Sequence, residues 1–286
     1  MKICDLHCHS NCSDGTLTPE ELIDKAMSLG IGALALTDHN TFSGLERFRK
    51  YAEEKLPVLL GCEFTTEING KEFHLVGFFS DTKGSEEIQR SIAGQRERKE
   101  KSNHDLIDRL IAGGYDLSWE EFCADVAGIP SVNRVQIADY LLKKGIIPTA
   151  KEGFRTLLSP ENGFYVEARK LDFFDMIRQI REAGGVSVLA HPLLNTGKER
   201  LEELLKQAKD CGLDGTEAYY STYSIGDTEF MEELCDQLGL IKSGGSDFHG
   251  SHKETAEMGS GKGDLAVPFS CYETIRDLLA KRCENR

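Results

Sequence analysis

Apolar residues follow two rhythms along this chain. Short, nearly continuous apolar runs at residues 2–8, 31–37, 57–62, 73–79, 186–190, 215–218 and 240–243 read as buried strands. Between them, apolar positions recur at helical spacing. The first helix opens with Thr18 as N-cap, Pro19 in the first turn, Glu20 and Glu21 at the positive end, and stops at Gly30. Others are expected at 44–54, 172–183, 201–209, 230–238 and 272–281. Asn69-Gly70 predicts a hairpin turn into the strand at 73–79. Residues 85–158 break the alternation. They are charged and helix-rich, with Leu106, Ile107, Leu110 and Ile111 on one face before Gly113-Gly114, and Ile137, Tyr140, Leu141 and Leu142 before Gly145. The pattern therefore predicts an α/β domain of residues 1–84 and 159–286, built on a parallel sheet or (β/α) barrel, interrupted by a helical insertion or cap at 85–158.

Composition narrows the classes. The chain has 286 residues, 40% hydrophobic and 29% charged, as expected of a folded, water-soluble protein. No apolar run is long enough to cross a bilayer, and the N-terminus runs directly into motif residues without a signal peptide, so a cytoplasmic protein with no membrane partner is expected. The formal charge of −14 opposes binding of long duplex nucleic acid. A small phosphorylated substrate remains compatible, because bound cations reverse the local sign of a site. Nine scattered cysteines without a Cys-x-x-Cys read as reduced thiols. Cys4, Cys8 and Cys12 are spaced four apart, which admits a thiolate site, but small buried side chains are the simpler account.

The histidines change the picture most. Of eight, six (His7, His9, His39, His74, His191 and His249) sit at or near predicted strand ends. In a (β/α) barrel those ends converge on one face. His7 and His9, two apart on a strand, point the same way, with Asp5 on that face as a candidate orienter. Thr37-Asp38-His39 closes the second strand, with Asp38 in a similar role. Asp14 lies on the loop after the first strand, and Glu63, closing the third, has a carboxylate able to bridge two cations. His191 closes a buried strand before Pro192. Gly244-Gly245-Ser246-Asp247-Phe248-His249 repeats the two-apart spacing behind glycines that permit close backbone approach. Nine N/O ligands (His7, His9, Asp14, His39, Glu63, His74, His191, Asp247 and His249) exceed one metal's needs and fit two to three divalent ions, Mn, Fe or Zn. His104 and His252 fall outside the pattern as surface residues.

In this order the motifs Asp5-x-His7-x-His9-Ser10, Thr37-Asp38-His39, Glu63, His74, Ala190-His191-Pro192 and Gly245-Ser246-Asp247-x-His249 resemble those of the PHP (polymerase and histidinol phosphatase) family. The resemblance implies a distorted (β/α)7 barrel and a trinuclear phosphoesterase centre. It places His7, His9, Glu63 and Asp247 on one metal, Glu63, His74 and His191 on a second, and Asp14, His39 and His249 on a third. The insertion, Gly163-Phe164-Tyr165-Val166 and the run from Ala183 to Pro192 resemble the subgroup with 3′,5′-nucleoside bisphosphate phosphatases and 5′→3′ exoribonucleases of short RNA. That subgroup's Arg-Pro-His-Ile-Ala stretch reads Arg134-Val135-Gln136-Ile137-Ala138 here. The implied reaction is attack of a metal-bridging hydroxide on phosphorus. Arg134 would grip phosphate, and Asp247 or His191 would pass a proton to the leaving group. Two alternatives are a histidinol-phosphate phosphatase, which the insertion argues against, and a non-catalytic metal-binding regulatory module, which the complete ligand set argues against. Oligomeric state is not legible.

Overall fold

In the computed structural model, which describes residues 2–129, 132–253 and 256–284, the apolar runs become strands. Among the described residues these are β1 (Ile3–Cys4), β2 (Leu34–Leu36), β3 (Val58–Ile68), β4 (Lys71–Phe79), β5 (Leu171–Asp172), β6 (Val186–Leu189), β7 (Gly215–Tyr220), β8 (Ile241–Gly245) and β9 (Val267–Pro268). β2 pairs parallel with β3, while β4 pairs antiparallel with both β3 and β6. β6, β7 and β8 continue in parallel, β5 adds to β3, and β9 lies antiparallel to β1. The result is a mixed α/β fold with a curled sheet.

The strand expected over residues 2–8 is a regular ladder only at Ile3–Cys4. Beyond it, residues 5–9 alternate between two neighbours, so no continuous ladder forms with either. The Asp5 N–H donates to the Ala33 carbonyl (3.0 Å) and the Leu6 N–H to that of Gly244 (3.1 Å). His7 accepts from the Asp247 N–H (2.8 Å), and the His9 N–H donates to Phe248 (2.9 Å). This segment thus links the β2 end of the sheet to the β8 end.

Local rules set the connections. The Thr18 side chain accepts from the Glu21 N–H while Glu21 accepts from that of Thr18, capping the helix Pro19–Ser28; such a cap contributes about 1 kcal/mol. Asn69 and Gly70 both take positive φ (51° and 78°), the geometry that closes a two-residue hairpin. That hairpin extends the third strand to Ile68, so Glu63 sits inside β3 rather than at its end. It also explains His74. β4 runs backwards, so its early residues lie level with the C-terminal ends of its parallel neighbours; His74 pairs with Thr65, and its carbonyl accepts from the Ala190 N–H at 2.9 Å.

Residues 1–90 and 171–286 form one compact unit and residues 91–170 another. The first packs Leu6, Ala33, Leu59, Phe78, Val186 and Val188 against Tyr272, Ile275 and Leu279 of the helix Phe269–Glu284. The second has a core of its own, including Leu106, Leu110, Phe122, Ile137, Leu141 and Leu158. No helix among the described residues is long and apolar enough to cross a membrane. All nine cysteines are free. Cys4 and Cys8 are buried with thiols pushed up by desolvation, so they pack as neutral side chains.

Candidate metal centre

One buried carboxylate meets five imidazoles. The Glu63 Oε2 lies 3.2 Å from Nε2 of both His7 and His9 and 3.1 Å from Nδ1 of His39. Its Oε1 lies 2.8 Å from Nδ1 of His74 and 3.0 Å from Nε2 of His191. The Asp247 Oδ1 adds contacts to His9 (3.3 Å), His249 (3.4 Å) and His7 (3.7 Å). Half-exposed Asp14 completes the far side against His249 (3.4 Å), His9 and His39 (both 3.7 Å). All nine residues expected from the sequence therefore meet in one place.

Strand geometry delivers them. His7 and His9 share a face, as alternation requires. Gly245 lets β8 run against them: a Cβ there would stand 2.4 Å from both N and Cβ of His7. His39 bridges to Glu63 across β2 and β3. His191 and Asp247 follow β6 and β8 at positive φ (28° and 54°), unusual for side chains with a Cβ and concentrated at functional sites.

The polar atoms are suited to cations. Buried Nδ1 atoms of His9, His39 and His191 and the Oε2 of Glu63 have no hydrogen-bond partner among the described residues. Buried groups rarely remain so without a reason. The Nε2 atoms of His7 and His9 face each other at 3.1 Å. Ligands about 2.1 Å from a tetrahedral cation stand about 3.4 Å apart, close to the spacings here. Three groups converge within 4.8 Å: His7, His9, Glu63 and Asp247; His9, Asp14, His39 and His249; and His39, Glu63 and His74. The grouping differs from the expected partition in sharing His9 and His39, while His191, whose Nε2 meets Glu63 Oε1, falls in none of the three groups.

The supporting shell departs from expectation. Asp5 does not orient a ring. It accepts from the Ser246 N–H (2.9 Å) and hydroxyl (2.5 Å) and from the Gly259 N–H (2.7 Å), tying β1 to the segment after β8. Asp38 likewise binds Ser10 and Ser13 (2.6–2.7 Å) and fixes the loop carrying Asp14. The ring-orienting carboxylate is Glu217 on β7, missed in the sequence: Oε1 meets His7 Nδ1 at 2.7 Å and Oε2 accepts from the His191 N–H at 2.6 Å. Its signal was an acidic residue within a strand that is buried at every position but Tyr219. Tyr220 and Lys253 were also missed; both contact Asp247 Oδ2. His104 packs edge-on against Trp119, and exposed His252 bonds the Asp14 carbonyl (2.8 Å). Arg134, in the unit of residues 91–170, donates to the Leu158 carbonyl (3.1 Å) and lies 4.3 Å from the Tyr165 ring centre.

Burial disfavours the His9 cation, yet Asp247 and Glu63 hold it up to about 9. His74 is held up to about 10 against the same penalty, by Glu63 and then Glu72. At His39 burial wins and pushes the imidazole down to about 3, leaving it neutral. Against the same burial penalty, Glu63, Glu217 and Asp247 hold His7 well above the usual imidazole range, so metal-free protein at neutral pH carries protons on His7, His9 and His74 that a cation must expel. Metal affinity should rise with pH through neutrality, by about tenfold per pH unit for each proton released. Calorimetric titration of Mn²⁺ into stripped protein at pH 6, 7 and 8, in buffers of different ionisation heat, reads this directly; zero proton release would contradict the ligand set.

The PHP domain family matches residues 5–169, more than half of the sequence. The chain belongs to the PHP family. Its PHP relatives include a 5′-3′ exoribonuclease of Haemophilus influenzae, 30% identical over 247 residues and covering 86% of this chain and 89% of the relative. A 3′,5′-nucleoside bisphosphate phosphatase of Chromobacterium violaceum is 31% identical over 287 residues, covering 97% and 96%. A solved structure from Bifidobacterium adolescentis, provisionally described as a metal-dependent phosphoesterase, superposes with a TM-score of 0.77 at 28% identity, covering 97% of this chain and 96% of that one. This PHP chain is accordingly a metal-dependent phosphoester hydrolase.

Proposed function

We propose that the chain hydrolyses phosphate esters of small nucleotides, a 3′,5′-nucleoside bisphosphate to the 5′-monophosphate or a short 5′-phosphorylated oligoribonucleotide, with two to three divalent cations. The observation that carries the reading is Glu63: one buried carboxylate touching five imidazoles, three of them through an Oε2 with no hydrogen-bond partner among the described residues. The links from residues 5–9 to both β2 and β8 support a distorted (β/α)7 barrel. The activities named for the relatives favour nucleotide substrates.

His7, His9, Glu63 and Asp247 would hold one cation, Glu63, His74 and His191 a second, and Asp14, His39 and His249 a third. Such cations supply a water of lowered pKa and a Lewis acid for the phosphoryl group. Glu217 keeps His7 aimed inward and fixes the backbone of His191. Asp247 faces the cluster through Oδ1 and gives Oδ2 to Tyr220 and Lys253; Asp247 or His191 would pass a proton to the leaving group. Arg134 gives Nη1 to Leu158 and keeps further guanidinium donors for a phosphate.

The test is phosphate release from metal-loaded protein across 3′,5′-bisphosphonucleosides, mononucleotides, short 5′-phosphorylated RNA and histidinol phosphate. The bisphosphonucleosides or short RNA should be turned over best, and Arg134→Ala should raise their KM about tenfold or more, the value of one charge-assisted contact. Preferential turnover of histidinol phosphate would overturn the substrate assignment.

A further inference from the structure

Lys253 is the cation built against this centre, six residues beyond Asp247 on the short turn Gly250–Lys253. The turn is fastened to the loop after β1. The Ser251 N–H donates to Thr16 Oγ1 (3.1 Å), the Thr16 N–H to the His249 carbonyl (3.2 Å), and His252 Nδ1 meets the Asp14 carbonyl at 2.8 Å. Gly250, at φ 66°, packs so closely that a Cβ would lie 1.9 Å from Thr16 Oγ1. Held this way, the turn brings the Lys253 ammonium onto Asp247 Oδ2 and 3.2 Å from the Tyr220 hydroxyl, which itself donates to Oδ2 at 2.8 Å. The other oxygen, Oδ1, faces the imidazoles. The Lys253 side chain is 32% exposed and that of Asp247 only 9%, so Lys253 is the partner of the pair that solvent reaches.

Charge decides what it is for. Asp14, Glu63 and Asp247, with Glu217 against His7 and Glu72 against His74, supply five negative charges to the cluster. With two divalent cations the adjacent ammonium brings the centre to neutrality, and with three it makes the fully loaded centre net positive. That is unfavourable alone and favourable once an anion arrives. Among the described residues the ammonium gives hydrogen bonds to two partners, Asp247 and Tyr220, and has three N–H donors.

We propose that Lys253 contacts the substrate: its third N–H donates to an oxygen of the phosphoryl group at the cluster, while the Tyr220 hydroxyl holds the ammonium in place. The assignment rests on the phosphoester reading above. It makes Lys253 a phosphate-specific contact and Tyr220 a positioning residue.

The test uses metal-loaded wild type, Lys253→Met, Lys253→Arg and Tyr220→Phe, with inorganic phosphate as the probe. Calorimetry gives phosphate affinity, elemental analysis the bound metal, and phosphate release from a 3′,5′-bisphosphonucleoside KM and kcat. Lys253→Met should keep its metal and lose about ten- to hundredfold in phosphate affinity, the value of a hydrogen bond from a charged donor. Its phosphate affinity should also become less salt-dependent, Lys253→Arg should recover most of the loss, and Tyr220→Phe should show a smaller one. Unchanged phosphate affinity in Lys253→Met overturns the proposal. So does metal loss in step with phosphate loss, which would make Lys253 only a brace for Asp247. Wild type that binds phosphate through Lys253 yet hydrolyses no nucleotide supports the contact while overturning the substrate reading.

Discussion

Glu63→Gln should strip more than one equivalent of metal from the protein and lower turnover by about a thousandfold. Glutamine fills the same volume inside β3, so the fold should survive. What changes is the charge and the donor set: an amide NH2 replaces one of two carboxylate oxygens. Oε2 faces His7, His9 and His39, whereas Oε1 faces His74 and His191, so either orientation of the amide turns N–H groups toward imidazole nitrogens that need a cation. Loss of a metal that activates water and stabilises phosphoryl charge costs several kcal/mol, and each 1.4 kcal/mol is about tenfold in rate. Elemental analysis against protein concentration, with steady-state turnover, measures both effects. Full metal content with wild-type turnover would dismantle the cluster as drawn.

Gly245→Ala should produce the largest loss of stability, about 3 kcal/mol, together with loss of metal. The added methyl would stand 2.4 Å from the His7 nitrogen and Cβ and 2.8 Å from its Cα. Those are mainly backbone atoms, which cannot swing aside as a side-chain tip can. Relief requires β8 to separate from residues 5–9, breaking the bonds from Leu6 to Gly244 and from Asp247 to His7. Gly226→Ala is the matched control. It lies in the first turn of the helix Ile225–Leu238 with open space around its Cβ direction, so alanine should be neutral or stabilise by up to about 1 kcal/mol. Urea midpoints for the two variants decide the matter; equal midpoints would show that the close approach of β8 to His7 is not needed.

The parts of the molecule legible in sequence were those where one residue's chemistry clashes with its surroundings. Histidines and carboxylates closing apolar runs stood out because such runs otherwise exclude them. Thr18-Pro19 and Asn69-Gly70 were legible because caps and turns depend on a few adjacent residues. Partner choice was not. Alternation put Asp5 on the face of His7 and His9, but only the fold shows that its partners are Ser246 and Gly259. Glu217 lies on a strand too short to show a period, and its value lies in His7 and His191, both far away in sequence. His74 stood near the start of its predicted strand rather than its finish, and what brings it level with the other ligands is the reversed direction of β4. Lys253 carries no motif at all and is placed by the turn that precedes it.

The segment of residues 5–9 draws its neighbours from opposite ends of the chain, residues 33–37 on one side and 244–248 on the other. Synthesis releases His7 and His9 about 240 residues before Asp247 and His249. During synthesis the early histidines can dock on β2, but their second neighbour does not yet exist. The long loop that joins them can close only after β8 has emerged, and its entropy weighs against closing sooner. Assembly of the full ligand cage is therefore a late step of biogenesis. Until then the early imidazoles lack Asp247 and His249 as co-ligands, so metal selection by the full set waits for β8 and the residues that follow it.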